Sequence, residues 1–155
     1  QNFSVAELLT DSLVGDNEDP DRDGISNLLE YALGLDPRSQ NYSGLPAGRL
    51  DYMTAQSAST SSGQVQLFSA NDCCISSPVG LDPDKHYMAF TVERRGGIRT
   101  DIDYIIEVSN DLVNWRSTQS DVLSVINTGE LLEAYSTTPI EIQSRQFMRL
   151  KIQRK

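Results

Sequence analysis

Three aspartates alternate in the first quarter of the chain. Asp19, Asp21 and Asp23 are followed directly by Gly24, and Glu30 closes the stretch. Alternation brings the carboxylates to one side of a turn, and glycine allows a sharp turn because a residue without Cβ adopts positive φ readily. Acidic residues at positions one, three and five, glycine at six and glutamate at twelve form the pattern of the twelve-residue calcium loop.

Calcium chemistry assigns a role to the other positions of this loop. Ca²⁺ is a hard cation that binds about six to eight oxygen atoms at roughly 2.3–2.6 Å. Position seven offers a backbone carbonyl, position nine can hold a ligating water, and the glutamate can reach back with both oxygens. The alternative is an acidic, solvated turn that leads into a helix, and the number of filled positions favours calcium. The predicted ligands are Asp19, Asp21, Asp23, Ile25, Asn27 and Glu30.

The charge of the chain is distributed unevenly. The formal net charge is -9, from 13 basic and 22 acidic residues, and eight of the acidic residues lie between residues 11 and 36 with one base, Arg22. This concentration indicates a cation as partner rather than a generally acidic surface. A basic footprint is missing, so the composition disfavours nucleic-acid binding. No apolar run approaches the ~18 residues of a membrane span.

Helical patterns flank the loop, but only the second one is joined to it. Residues 3–13 place apolar residues near one helix face, and Gly15 interrupts this pattern before the loop begins. After the loop, apolar residues recur at helical spacing, with Ser26 or Asn27 as the N-cap and Gly34 at the C-terminal glycine position. The pattern therefore predicts an unpaired, EF-hand-like loop with only an exiting helix. Its apolar stripe consists of Ile25, Leu28, Leu29, Ala32 and Leu33.

The periodicity changes from helical to alternating after residue 48. Short alternating segments separated by turn residues predict a mainly β fold, an antiparallel β-sandwich of about seven strands. Residues 55–63 and 70–85 are expected to be loops. The chain thus divides into a helical calcium-loop segment at 1–37, a linker at 38–48 and a β-sandwich domain at 49–155. The predicted strands are Arg49–Met53, Gln64–Ser69, His86–Glu93, Asp103–Ser109, Val122–Asn127, Leu131–Thr137 and Phe147–Gln153.

The stretch DPDRDGISNLLEYALGLDP resembles the calcium loops of thrombospondin type 3 repeats and of dockerins. Together with the later segments TVERR, YIIEVSNDLVNW and FMRLKI, it is similar to a C-terminal module of large secreted bacterial proteins. The resemblance covers residues 14–37 and 86–155, and it implies an extracellular accessory module with a calcium loop, a helix and a β-sandwich. A single loop departs from both families, since type 3 arrays repeat the loop and dockerins carry two. The ligand roles that the resemblance implies fall on Asp19, Asp21, Asp23, Ile25 and Glu30.

Other polar and aromatic residues are open to a functional interpretation. His86 lies in the inward register of a strand and is expected to be a core or strand-end residue. Trp115 can stack on sugar or close one end of the sandwich, and the second role is favoured. Arg94, Arg95 and Arg99 gather at one hairpin, where a solvated turn is favoured over binding of an anionic polysaccharide.

These features predict a non-catalytic module of an extracellular or cell-surface protein. No nucleophile elbow accompanies the single histidine, so an enzyme is not expected. Weak calcium sites, with Kd of about 10⁻⁴–10⁻³ M, suit extracellular calcium levels. The neighbouring Cys73 and Cys74 lack a metal or redox spacing and say little about compartment. Two alternatives stay open: a carbohydrate-binding module that uses sandwich loops or Trp115, and a domain that binds or anchors to another extracellular protein.

Overall fold

The computed structural model describes residue 4 and residues 10–41, 43–54, 74–76 and 80–155. Two helices and seven strands lie within these ranges, so the prediction of a mainly β fold is confirmed. The predicted strand Gln64–Ser69 and most of the predicted helix at 3–13 lie outside them. Neither described helix has the length and apolar character needed to cross a membrane. The elements are α1 (Asp11–Val14), α2 (Asn27–Leu33), β1 (Ala47–Thr54), β2 (Cys74–Ser76), β3 (His86–Glu93), β4 (Ile102–Ser109), β5 (Val122–Asn127), β6 (Leu131–Ser136) and β7 (Phe147–Arg154).

The strands form two sheets. One sheet has five strands in the order β2-β1-β3-β6-β5, and the other pairs β4 with β7. The described pairings are antiparallel except for that of β1 with β2, which is parallel. The prediction of a loop over 70–85 is therefore wrong for Cys74–Ser76. These residues form a strand that pairs with β1, beginning at Tyr52. Three residues are too few for an alternating pattern, so this strand is recognisable only from its partner.

A hydrophobic core joins both sheets to helix α2. Phe90 and Val92 from β3 and Ile106 from β4 are buried together with Leu33 from α2. Alternation along the strands places these side chains on one face, as the sequence pattern predicts. The helix therefore shares its core with the strands. Leu132 and Ala134 complete the cluster, and Leu29, Leu35, Tyr104, Val122, Met148 and Leu150 pack against it.

The opposite face of the five-stranded sheet is also partly buried. Tyr87, Ala89 and Tyr135 belong to a second apolar cluster, and each is at most 1% exposed. The hydroxyl of Tyr135 donates to Asp51 Oδ2 at 2.8 Å, and Arg49 forms an ion pair of 2.9 Å with the same carboxylate. Burial and the hydrogen bond to Asp51 raise the pKa of Tyr135. Both faces of the sheet thus carry buried side chains.

Candidate metal centre

Backbone N–H groups inside the loop hold its carboxylates in place. Gly24 donates to Asp19 Oδ2 at 2.9 Å, and Ile25 donates to Asp23 Oδ1 at 2.8 Å. The N–H of Asp23 lies 3.2 Å from Oδ1 of both Asp19 and Asp21. Gly24 has a φ of 90°, which is the left-handed conformation predicted for position six. The loop therefore organises its own acidic side chains through its main chain.

The three aspartates meet at one point. One carboxylate oxygen from each of Asp19, Asp21 and Asp23 lies within 4.8 Å of the others. Oxygens that share one Ca²⁺ at roughly 2.3–2.6 Å are at most about 5 Å apart, so this spacing fits a single ion. Arg22, between two of the aspartates, has a φ of 62°, which for a residue with a Cβ costs on the order of 1 kcal/mol. The aspartates thus form a group that can hold a metal ion.

Glu30 lies on the first turn of α2, and its side chain is fully buried. Its Oε1 accepts a hydrogen bond of 2.8 Å from Asn41 Nδ2, whereas its Oε2 has no hydrogen-bond partner among the residues that the structure describes. Burial first, and the charges of Asp21 and Asp23 second, raise the pKa of Glu30 to about 7. A buried carboxylate in this setting needs either a proton or a cation.

Burial, neighbouring charges and hydrogen bonds also change the pKa values of the aspartates. Burial and the charge of Asp23 raise the pKa of Asp21 above its ordinary value. Burial acts in the same direction on Asp19, but the N–H groups of Gly24 and its neighbours lower the pKa of Asp19 overall. Asp21 Oδ2 is buried and has no hydrogen-bond partner within the described ranges. The loop thus keeps its carboxylates close despite their mutual repulsion.

Ile25 and Asn27 are buried at the junction of the loop and α2. Asn27 Nδ2 donates to the carbonyl oxygens of Leu13 and Gly15, both at 2.9 Å, so this side chain joins the preceding segment to the helix. Its Oδ1 has no hydrogen-bond partner in the described part of the chain. The water-mediated role of Asn27 and ligation by the carbonyl of Ile25 stay predictions.

Two contributors to the site lie beyond the calcium-loop pattern. Asn41 donates its backbone N–H to Asp23 Oδ2 at 2.6 Å and its side-chain amide to Glu30 Oε1. Gln40 Nε2 donates to the backbone oxygen of Asp21 at 3.2 Å. Sequence reasoning missed both residues because the motif ends at Glu30 and the following stretch reads as a linker. Spacing alone carries no signal for them.

Helix α2 fixes the loop on the core. Ala32 and Leu33 are fully buried, and the hydroxyl of Tyr104 from β4 donates to the carbonyl of Ala32 at 2.7 Å. Gly34 ends the helix with a φ of 72°, as its position predicts. A Cβ on this residue would lie 1.6 Å from the carbonyl oxygen of Arg95. The helix end is therefore in close backbone contact with the strand region that follows β3.

Arg154 of β7 fastens the segment that leads into the loop. Its Nε and Nη2 donate to the two oxygens of Asp16 at 2.8 and 2.6 Å, and Nη1 donates to Asp101 at 2.9 Å. The carbonyl of Asp16 in turn accepts the N–H of Leu28 at 3.0 Å. Ser26 is the N-cap residue of α2, but its side chain makes no capping hydrogen bond. The carbonyl of Asp16, in the preceding segment, accepts an N–H group of this helix end instead.

His86 begins β3, as a strand-end residue. Its side chain is 42% exposed, and Nδ1 lies 2.7 Å from Glu141 Oε1. Its ring centroid is 4.8 Å from that of Tyr52. The strand-end prediction is thus supported, whereas a core position is wrong, because the ring lies at the start of β3, where it is partly exposed and contacts Glu141.

Two of the residues considered for polysaccharide binding, Arg94 and Trp115, make contacts within the protein, whereas Arg95 is exposed. Arg94 is only 2% exposed and donates to Asn127 Oδ1 and the carbonyl of Leu131, both at 3.0 Å. A solvated turn is therefore wrong for Arg94, which ties together the ends of the β5–β6 hairpin. The guanidinium of Arg149 lies 4.0 Å from the ring centre of Trp115 and covers one face of the indole.

The centre as a whole is an oxygen-rich loop on the first turn of a short helix. The structure brings three aspartates together as possible ligands of one ion, while the buried Glu30 lies beside this group and outside its 4.8 Å spacing. Hard divalent cations prefer such ligands. Comparisons with protein-family models, with curated proteins and with solved structures give no match to this chain.

Proposed function

We propose that this chain is a calcium-binding, non-catalytic structural module of a secreted or cell-surface protein. One observation carries the proposal: Glu30 is fully buried, one of its oxygens has no described hydrogen-bond partner, and the clustered aspartates lie close enough for their charges to raise its pKa. An unpaired buried carboxylate destabilises a fold, and a divalent cation offsets the charge of several carboxylates together. A solvated acidic turn has no reason to bury a glutamate in this way.

Calcium fits the donor set better than other common cations. The candidate ligands are oxygen atoms, which disfavours metals that prefer thiolate or imidazole. Mg²⁺ demands near-ideal octahedral geometry and keeps several waters, whereas Ca²⁺ accepts irregular sets of about six to eight oxygens. Asp19, Asp21, Asp23 and Glu30 would supply carboxylates, the carbonyl of Ile25 would add an oxygen, and Asn27 would hold a water. Ca²⁺ binding in turn fits an extracellular location, where the ion is abundant.

The role of the ion is structural. Calcium neutralises the close aspartates and removes the penalty of burying Glu30, so it stabilises the loop conformation and the start of α2. Because α2 is a helix of 7 residues, its own propensity contributes little stability. Leu33, at its other end, is part of the core between the sheets. The ion therefore strengthens the attachment of the helix to the β fold.

Thermal unfolding and calorimetry test this proposal directly. A ligand at 100 times its Kd stabilises the native state by about 2.7 kcal/mol. We expect millimolar CaCl₂ to raise the melting temperature, EDTA to reverse the increase, and titration calorimetry to give one site per chain. MgCl₂ at the same concentration is the matched control and should give a smaller shift. An identical melting curve in CaCl₂ and EDTA would refute the proposal.

A further inference from the structure

Asn41 contacts two of the acidic residues of the centre although it lies 11 residues beyond Glu30. Its backbone N–H donates to Asp23 Oδ2 at 2.6 Å. Its side-chain Nδ2 donates to Glu30 Oε1 at 2.8 Å and to the carbonyl of Asp36 at 3.0 Å. One residue outside the loop thus connects the middle of the loop, its closing glutamate and the turn after α2.

These contacts determine how Glu30 is presented. A carboxylate can rotate about its terminal torsion, which is broad for Asp and Glu. Asn41 holds Oε1, while Oε2 is buried without a hydrogen-bond partner among the described residues. Each carboxylate oxygen has two acceptor sites, so Oε1 can accept the amide hydrogen and still ligate a cation. The glutamate is therefore held in one orientation with both oxygens available.

The donors of Asn41 also suit the charge of the centre. An N–H group that faces a carboxylate stabilises the charged form, whereas another acid at this place would add to the repulsion. Asn41 supplies two such donors, one from the backbone to Asp23 and one from the side chain to Glu30. It acts on the ligands without adding negative charge, as the outer-shell partners of metal sites commonly do.

We infer that Asn41 is a positioning residue of the calcium site, which orients Glu30 for ligation by both carboxylate oxygens. The inference rests on the proposed function. It extends the functional unit from residues 19–30 to residues 19–41, so that the turn after α2 and the ion stabilise each other. Loss of an outer-shell hydrogen bond typically weakens metal affinity by about 10–100-fold.

The test compares Asn41→Ala with the wild type and with Ser39→Ala. Ser39 is an exposed residue of the same turn, so its substitution is a matched control. Calcium affinity is measured by titration calorimetry, and coordination is measured from Tb³⁺ luminescence lifetimes in H₂O and D₂O, which count the waters on the ion. We expect about 10–100-fold weaker calcium binding for Asn41→Ala and a higher number of Tb³⁺-bound waters, because Glu30 loses its fixed orientation. Ser39→Ala should match the wild type in both.

A second variant separates orientation from packing. Asn41→Asp keeps the size of the side chain and the backbone hydrogen bond, but it replaces the amide donor with a carboxylate next to Glu30. We expect it to lose at least as much calcium affinity as Asn41→Ala. Calcium affinity within twofold of the wild type in either variant, with an unchanged number of bound waters, would overturn the inference. Failure of the wild type to bind Ca²⁺ or Tb³⁺ would instead overturn the proposed function.

Discussion

Replacing Glu30 with glutamine should have opposite consequences without and with calcium. Without the ion, the wild-type protein buries a carboxylate whose Oε2 has no hydrogen-bond partner in the described part of the structure. Glutamine keeps an oxygen that can accept from Asn41, and it places an amide donor near the aspartates. We therefore expect Glu30→Gln to stabilise the calcium-free protein and to weaken its response to calcium.

The pKa of Glu30 gives the expected size of the first effect. The folded state raises this pKa from 4.5 to about 7. At 1.36 kcal/mol per unit, ionised Glu30 destabilises the folded protein by at most about 3 kcal/mol at pH 8. For a domain of this size about 1 kcal/mol changes the melting temperature by roughly 2–4 °C. Glu30→Gln should thus raise the melting temperature in EDTA by up to about 6–12 °C.

The assay is a pair of thermal melts at pH 8, one in EDTA and one in 10 mM CaCl₂, for the wild type and for Glu30→Gln. Glu130→Gln, at an exposed position in the β5–β6 turn, is the matched control and should change neither melt. The calcium-induced increase expected for the wild type should shrink for Glu30→Gln, because the proposed carboxylate ligand is lost. Equal destabilisation of Glu30→Gln in both buffers would refute the reasoning, since it would make Glu30 an ordinary structural residue.

The same linkage predicts how pH acts on the calcium-free protein. The folded state raises the pKa of Glu30 above its unfolded value, so the folded state binds the proton more tightly. The contribution of Glu30 to stability is then fully present below about pH 4.5 and is lost as the pH rises toward 7. Denaturant unfolding in EDTA across this interval should show the loss for the wild type and not for Glu30→Gln. A wild-type profile that coincides with that of Glu30→Gln would contradict the prediction.

Four further substitutions, one of them a control, test the attachment of the helix and the identity of the site. Gly34→Ala should lower the free energy of unfolding by more than about 2 kcal/mol, because the new Cβ would collide with the backbone of Arg95. Denaturant melts measure this change, and an unchanged midpoint would contradict the prediction. Tyr104→Phe should lower it by about 1–2 kcal/mol and leave calcium affinity in calorimetry unchanged, because only the hydrogen bond to α2 is lost. Asp21→Asn should remove the calcium-induced increase in melting temperature. Asp82→Asn, at an exposed aspartate outside the 19–30 loop, is the matched control and should keep the increase. Equal responses of the two variants would place calcium elsewhere.

Local patterns predict those parts of the protein whose conformation depends on local residues. Gly24 and Gly34 adopt the positive φ values that their positions in the loop and helix require. Strands β3 and β5 have the predicted bounds, because a run of alternating apolar residues between turns specifies a strand without reference to its partner. The meeting of the aspartates follows in the same way from their spacing.

The remaining parts depend on contacts between distant segments. Strand β2 exists through its pairing with β1, and Tyr135 is buried through a contact with Asp51 of another strand. Arg94 satisfies carbonyls of the β5–β6 hairpin more than 30 residues away. Asn41 reaches Glu30 only because the chain turns back after α2. None of these contacts produces a periodic pattern in the sequence, because each depends on a distant segment that the tertiary structure brings next to the residue.

The two hydrogen bonds from the side chain of Asn41 have a consequence for glycosylation. Residues 41–43 read Asn-Tyr-Ser, which is an acceptor sequence for N-linked glycans. A glycan would replace one of the two amide hydrogens that Asn41 donates to Glu30 Oε1 and to the carbonyl of Asp36. The side chain of Asn41 is also half-buried, so the attached sugar would need space that the folded centre occupies. Glycosylation of Asn41 would therefore remove at least one hydrogen bond that holds the centre together, so production in a glycosylating host should give a fraction of the protein with weaker calcium binding.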